Sequence, residues 1–299
     1  MALRDWFWVV LLGTIWGSSF LFNGILIKEI GPLWVSAGRV SVGALGCWLA
    51  FFALRKKLPE NKGLYIHFFA LGLLNYAIPF ALYPLSQQSL ASGVAAIVNG
   101  MTPIMTVIVS HFWIGGEKAS WNKSFGVLAG FTGITILTLP SLSTGGNTEL
   151  WAIIACLLAT LSYAVSLNYT RMLGKVDPTV MATCALTGAS VAAIPVAFLV
   201  HGTPHLTSLA GWGALLAIGL VATSIAFLIM YRILPRVGAT NFSIVTFIAP
   251  ISAIALGFLF LNETIKLVHV LGMIGIFIGL ALIDGRILNR RRPAPVDGV

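Results

Sequence analysis

Three prolines stand four residues downstream of a polar residue inside otherwise apolar stretches: Asn75 and Pro79, Asn99 and Pro103, Thr246 and Pro250. A proline in a helix cannot donate to the carbonyl four residues back. Each pair therefore offers a backbone oxygen released from its helical partner beside a polar residue. In lipid such a group is tolerated only where protein or a water-filled cavity covers it. The three pairs predict either a polar cavity at mid-depth or packing kinks whose carbonyls a neighbouring Ser or Thr satisfies.

Other groups fall at a similar depth in their apolar stretches: Trp16, Ser18, Tyr76, Met101, Tyr163, Ser166 and Ser224. Trp and Tyr ordinarily gather at membrane interfaces, so Trp16, Tyr76 and Tyr163 point to a site as much as to a core role with a satisfied polar tip. The candidate substrate-binding set is thus Trp16, Ser18, Asn75, Tyr76, Pro79, Asn99, Met101, Pro103, Tyr163, Ser166, Ser224, Thr246 and Pro250. Such a set suits a neutral or zwitterionic ligand with an apolar or aromatic side chain. Freed carbonyls accept hydrogen bonds from an ammonium, Asn and Ser groups or broken-helix N-termini bind a carboxylate, and aromatic faces pack the side chain.

Other chemistry is poorly supplied. No Asp or Glu lies at mid-span, and His67, His111, His201, His205 and His269 all fall near span ends or in loops. Cys47, Cys156 and Cys184 sit in apolar runs with no paired spacing, so neither a metal site nor a nucleophile is expected. No cofactor is implied, and an intramembrane enzyme is disfavoured. Proton coupling through a central acid is likewise not expected. Arg39 is the deepest basic residue, expected either to snorkel to the interface or to hold an outer gate through a carbonyl or Glu29.

Composition explains what must position these groups. Of 299 residues, 58% are hydrophobic and only 9% charged, too few charges to cover a water-soluble surface and suited to many membrane spans. The net charge of +9 lies mainly in short gaps between apolar runs, which argues against nucleic acid. Ten spans are predicted: Phe7–Ile27, Leu33–Leu54, Ile66–Leu85, Ala91–Ile114, Ser124–Leu139, Leu150–Tyr169, Val180–Val200, Leu209–Tyr231, Ala239–Leu261 and Leu267–Ile283, with a polar linker over Ser141–Glu149. With both termini cytoplasmic, 15 of the 18 Lys and Arg fall inside, Lys28 and Lys266 fall outside and Arg39 lies within a span. Removing or adding one span would destroy this positive-inside alternation.

The chain also repeats itself at an offset near 146 residues: Gly31-Pro32 with Asp177-Pro178, Glu117 with Glu263, Gly126 with Gly272, Gly133 with Gly279, and, one residue adrift, Pro103 with Pro250. Five spans per half is an odd number, so the second half enters the membrane in the opposite sense, as in many transporters. The expected organisation is an all-α membrane protein with a first repeat over 1–145, an inverted second repeat over 146–288 and a basic cytoplasmic tail over 289–299.

These residues resemble the drug/metabolite transporter superfamily in its ten-helix, duplicated EamA form. The resemblance rests on Gly13-Thr14-Ile15-Trp16-Gly17-Ser18-Ser19-Phe20, on Arg39, and on proline-containing spans 4 and 9. Those spans end in Gly116-Glu117 and Asn262-Glu263, and the glycine-rich spans 5 and 10 follow them. Within the family the chain is similar to YddG-type exporters of aromatic and apolar amino acids. The resemblance implies a bacterial inner-membrane exporter with a central cavity lined by spans 1, 3, 4, 6, 8 and 9. Its partners would be the lipid bilayer and small-molecule substrates such as amino acids, with a multidrug or apolar-cation exporter of the same superfamily, or a small-solute channel, as alternatives. The sequence leaves the oligomeric state open.

Overall fold

The structure, a computed structural model, describes residues 2–144, 147–174 and 176–284. Ten helices follow one another through short loops: α1 (Leu3–Leu26), α2 (Pro32–Ala53), α3 (Leu64–Ser86), α4 (Ser92–Phe112), α5 (Trp121–Thr144), α6 (Asn147–Met172), α7 (Pro178–His201), α8 (Leu209–Met230), α9 (Val245–Leu261) and α10 (Leu267–Asp284). All but α9 are long and apolar enough on their own to cross a membrane. The helix that starts at Ala226 runs on to Phe242, but Gly238 interrupts it at φ +74°. The residues after that glycine form a separate turn leading into α9.

Apolar side chains face outward as well as inward. Leu49, Phe52, Phe258, Leu259 and Phe260 are all exposed, a cost in water that lipid removes. Polar signals mark the helix ends instead. Asp177 caps α7 by accepting from the amides of Thr179 (2.9 Å) and Val180 (3.3 Å) ahead of Pro178, an arrangement that supplies acceptors to orphan donors and a preset φ. Asn262, in the left-handed region at φ 56°, ends α9.

Glycines set which helices touch. A Cβ added to Gly126 or Gly133 on α5 would stand 2.7 Å and 2.6 Å from the carbonyls of Gly279 and Gly272 on α10. The two glycine-rich faces therefore pair within one chain, and close backbone approach replaces a hydrophobic drive. Gly17 lets α1 reach the Ala249 carbonyl of α9 in the same way, where a Cβ would stand 2.5 Å from it.

Joined by short loops, the ten helices bring their twenty ends to two faces. The first helix begins and the last one ends on what is called here the terminal face; the other is the distal face. One expectation needs correction. Ser141–Thr144 continue α5 and Asn147–Glu149 begin α6, so the described residues of the polar linker expected over Ser141–Glu149 belong to the two helices it was to join. Glu149 lies in the first turn of α6, where an acid favours a helix start. The boundary between halves expected at 145/146 and the tail over 289–299 lie outside the described residues.

Candidate functional site

Local breaks in the helices prepare the site. α3 carries a π-helical segment, Leu73–Ala77, just before Pro79, and α8 carries a longer one, Ala217–Ile225. Widened turns release carbonyls, and hydroxyls from neighbouring helices take them up: Ser162 donates to Leu74 O (2.7 Å) and Ser36 to Ala77 O (3.1 Å). On α4 the helix breaks at Gly100 and Met101, and the carbonyl that Pro103 frees, on Asn99, accepts from the Thr102 hydroxyl at 2.8 Å. At these breaks the carbonyls are met by protein hydroxyls, as packing kinks require.

Between the breaks lies a cavity of about 290 Å³, at the lower edge of the range in which proteins hold small metabolites. Its walls come from α1, α3, α4, α6, α8 and α9, with Arg39 reaching in from α2. Toward the distal face the lining residues Phe20, Asn23 and Tyr83 are buried. Toward the terminal face Leu167, Met230 and Phe242 are half-buried or exposed, so the cavity opens on that side.

Of the sequence-predicted residues, the structure brings together Trp16, Asn75, Asn99, Tyr163 and Thr246 on the cavity wall. The others lie elsewhere. Tyr76 is buried between Phe80 and Phe227, with ring centroids at 5.8 Å and 5.5 Å, and Met101 is wholly buried in the core around α4. Ser18 donates to Ile15 O on its own helix (2.7 Å), and Ser224 ties α8 to Gly43 O of α2 (2.8 Å). Ser166, Pro79 and Pro250 are buried, and Pro103 is half-buried, outside the lining.

Arg39 departs most from expectation. It neither snorkels nor meets Glu29: it is 7% exposed, its Nε donates to Thr223 Oγ1 (3.1 Å) and its Nη2 to Ser19 Oγ (3.3 Å). The guanidinium lies 3.6 Å from the centroid of the Phe80 ring, a cation–π contact that holds charge in an apolar setting. Thr223 is itself oriented by donating to Ile218 O (2.8 Å), five residues back in the π segment. Nη1 has no acceptor among the described residues. Since none of their buried side-chain nitrogens or oxygens lacks a partner, Nη1 looks into the cavity. Arg39 is the one Asp, Glu, Lys, Arg or His on the wall, so the cavity carries an uncompensated positive charge.

Neutral polar groups surround it. The Tyr83 hydroxyl donates to Asn99 Oδ1 (2.6 Å) and its ring lies 6.3 Å from that of Tyr163. With its oxygen so occupied, Asn99 has its amide donors left for a ligand. Trp16 meets Phe242 edge-on at 6.2 Å near the open mouth. Ser19, Phe20 and Asn23 were not among the predicted residues, yet with Trp16 they form an i, i+3, i+4, i+7 stripe on α1, a signal present in the sequence.

The distal end is sealed by a polar network. The Gln87 side chain accepts from Asn23 Nδ2 (2.9 Å) and donates to Phe20 O (2.8 Å) and Ser92 Oγ (2.9 Å). Glu263 spans the start of α4, accepting from Ser92 N (2.8 Å) and Gly93 N (3.4 Å). Glu29 accepts from Thr207 N (3.2 Å), Ser208 N (3.1 Å) and the Ser208 hydroxyl, and these bonds, the hydroxyl's foremost, hold its carboxyl below the usual range. At the terminal face Asp5 pairs with Arg236 (2.7 Å) and Lys56 with Asp177 (2.6 Å), while Glu117 pairs with Lys123.

Comparison with known proteins matches this architecture. The family model described as EamA-like transporter family matches residues 5–139 and again residues 150–284. The chain is 25% identical over 275 residues to the uncharacterized transporter YoaV of Bacillus subtilis (strain 168), covering 91% of this chain and 94% of that one. It is 22% identical over 303 residues to a probable terminal-alkyne amino-acid exporter of Streptantibioticus cattleyicolor, covering 100% and 99%. A crystal structure superposes with a TM-score of 0.68 on 98% of this chain and 100% of its own at 17% identity, a likeness of fold alone.

Proposed function

On the premise that the chain belongs to the EamA-like transporter family, we propose that it exports amino acids with apolar or aromatic side chains across a bacterial inner membrane. Both termini then lie in the cytoplasm, and two inverted repeats meeting near residue 145 gate the cavity by alternating access. The observation that carries this reading is the Arg39 guanidinium, held by Thr223 and Ser19 with Nη1 toward the cavity. A fixed cation without an acid beside it takes a carboxylate.

In this reading the substrate carboxylate sits on Arg39. Asn75, which lines the wall, supplies an oxygen for the ammonium, and Trp16, Tyr163 and Phe242 receive the side chain. The name of the Streptantibioticus relative agrees with an amino-acid cargo. A cationic cargo fits less well, because Arg39 would repel it. With no Asp, Glu or His on the wall, transport runs down the substrate gradient and not against a proton at the site.

Counterflow into liposomes tests the reading. Preloaded aromatic or branched L-amino acid should accelerate uptake of the labelled compound, saturably and equally with or without a pH gradient. Flux that is neither saturable nor accelerated by preloading would instead mark a channel.

A further inference from the structure

Glu117 and Glu263 occupy equivalent places in the two repeats, but among the described residues Glu263 holds a helix start and Glu117 pairs with Lys123. Glu263 joins the end of α9 to the first amides of α4 at Ser92 and Gly93. Without a gap, Ala91-Ser92-Gly93 through Asn99 to Pro103 aligns with Gly238-Ala239-Thr240 through Thr246 to Pro250. The counterparts of the Ser92 and Gly93 amides are therefore those of Ala239 and Thr240, where a new turn begins after Gly238 at φ +74°. The counterpart of the carboxylate that holds them is Glu117.

That counterpart is engaged by a lysine. The Glu117 side chain is 68% exposed and paired with Lys123, which holds its carboxyl below the usual range, so it is an anion at neutral pH. The segments it would govern differ in the same sense. Val94–Val98 is buried throughout, whereas of the equivalent residues Asn241–Val245 the first four are half-buried and Val245 is buried, and Phe242, the counterpart of Ala95, lines the cavity.

We propose that Glu117 is the terminal-face latch of the transporter: when the cavity opens to the distal face, its carboxylate leaves Lys123 and caps the amides of Ala239 and Thr240, while Glu263 releases those of Ser92 and Gly93. A helix start favours an anion, and an exposed ion pair such as Glu117–Lys123 is weak enough to exchange. The two latches share one geometry and alternate. The proposal rests on the alternating-access reading above but not on the identity of the cargo.

The test labels cysteines from each side of the membrane and needs no substrate. In a chain whose three native cysteines are replaced by Ala, Phe242→Cys reports opening at the terminal face and Ala95→Cys opening at the distal face. Labelling uses a membrane-impermeant maleimide in inside-out and right-side-out vesicles. Glu117→Ala should raise the ratio of Phe242→Cys to Ala95→Cys labelling by about fivefold, the population change expected from losing one helix cap. Glu263→Ala should lower it, and the double variant should return it toward the parent value. Where an Ala variant does not fold, the Gln variant at that position is read in the same way. The proposal is overturned by a Glu117 variant that leaves the ratio unchanged or moves it with Glu263→Ala. It is overturned equally by an Ala95→Cys that no variant exposes to the distal side.

Discussion

The start of α4 and the turn that leads into α9 carry equivalent sequence and sit in different surroundings. At the distal face, Ser92 and Gly93 are capped by Glu263, and Val94–Val98 is buried. At the terminal face, Asn241–Ile244 is half-buried and Phe242 borders the cavity. The same motif, a polar residue followed four later by proline, therefore supports two packings in one molecule. A transporter built from inverted repeats needs both, because opening one face amounts to exchanging the two environments. The closed end shows what the open end is to become.

The most severe way to break that exchange is to fix the closed end covalently. A Cβ at Gly93 would stand 3.5 Å from Ile254 Cβ, within the range a disulfide bridges. Oxidised Gly93→Cys with Ile254→Cys should abolish counterflow and recover it on reduction. Counterflow that persists when the bridge is fully formed would mean that opening at the distal face does not separate the start of α4 from α9.

A graded version removes the centre of the distal seal. Gln87→Ala leaves Asn23, Phe20 O and Ser92 short of partners they now have, a penalty of about 1–3 kcal/mol paid only in the sealed state. Labelling of Ala95→Cys from the distal side should rise about tenfold, and the protein should melt earlier in detergent. Earlier melting without increased labelling would make Gln87 a fold residue and not part of the seal.

The smallest effect is expected at the open end. Asp5 and Arg236 join α1 to the end of the Ala226–Phe242 helix near the surface, and pairs with exposed members are worth about 0–1 kcal/mol. Asp5→Asn should change counterflow by less than about threefold, with the difference fading in high salt. A larger loss would show that the open face is held by charge as firmly as the distal face is by its network.

The sequence and the structure agree where physics is local. Apolar runs and punctuation give ten helices, because lipid admits only helices that satisfy their own backbone; the largest departure is span 9, expected from Ala239, whose helix starts at Val245 after the break at Gly238. The alternation of basic loops gives their number. Where tertiary packing decides, the agreement ends. Nothing in the neighbourhood of Arg39 indicates that Thr223 and Ser19 meet it from α8 and α1, so its depth alone points to snorkelling or an outer gate. Tyr76 and Ser224 share the depth of the cavity but turn away from it, since depth fixes height along a helix and not direction. The π segment in α3 compounds this by shifting register, so that Asn75 and Phe80, five residues apart, reach the same cavity. The stripe from Trp16 to Asn23 was legible and is the signal that depth alone obscured.

The most direct measurement compares counterflow of an aromatic L-amino acid with that of its decarboxylated amine, in the parent chain and in Arg39→Ala. A guanidinium that receives the substrate carboxylate predicts that the parent exchanges the amino acid and not the amine, and that Arg39→Ala loses amino-acid exchange by about thirtyfold or more, as expected when a buried charge pair loses one member. An amine exchanged as fast as the amino acid, or an Arg39→Ala variant that keeps the parent's rate and preference, would contradict it.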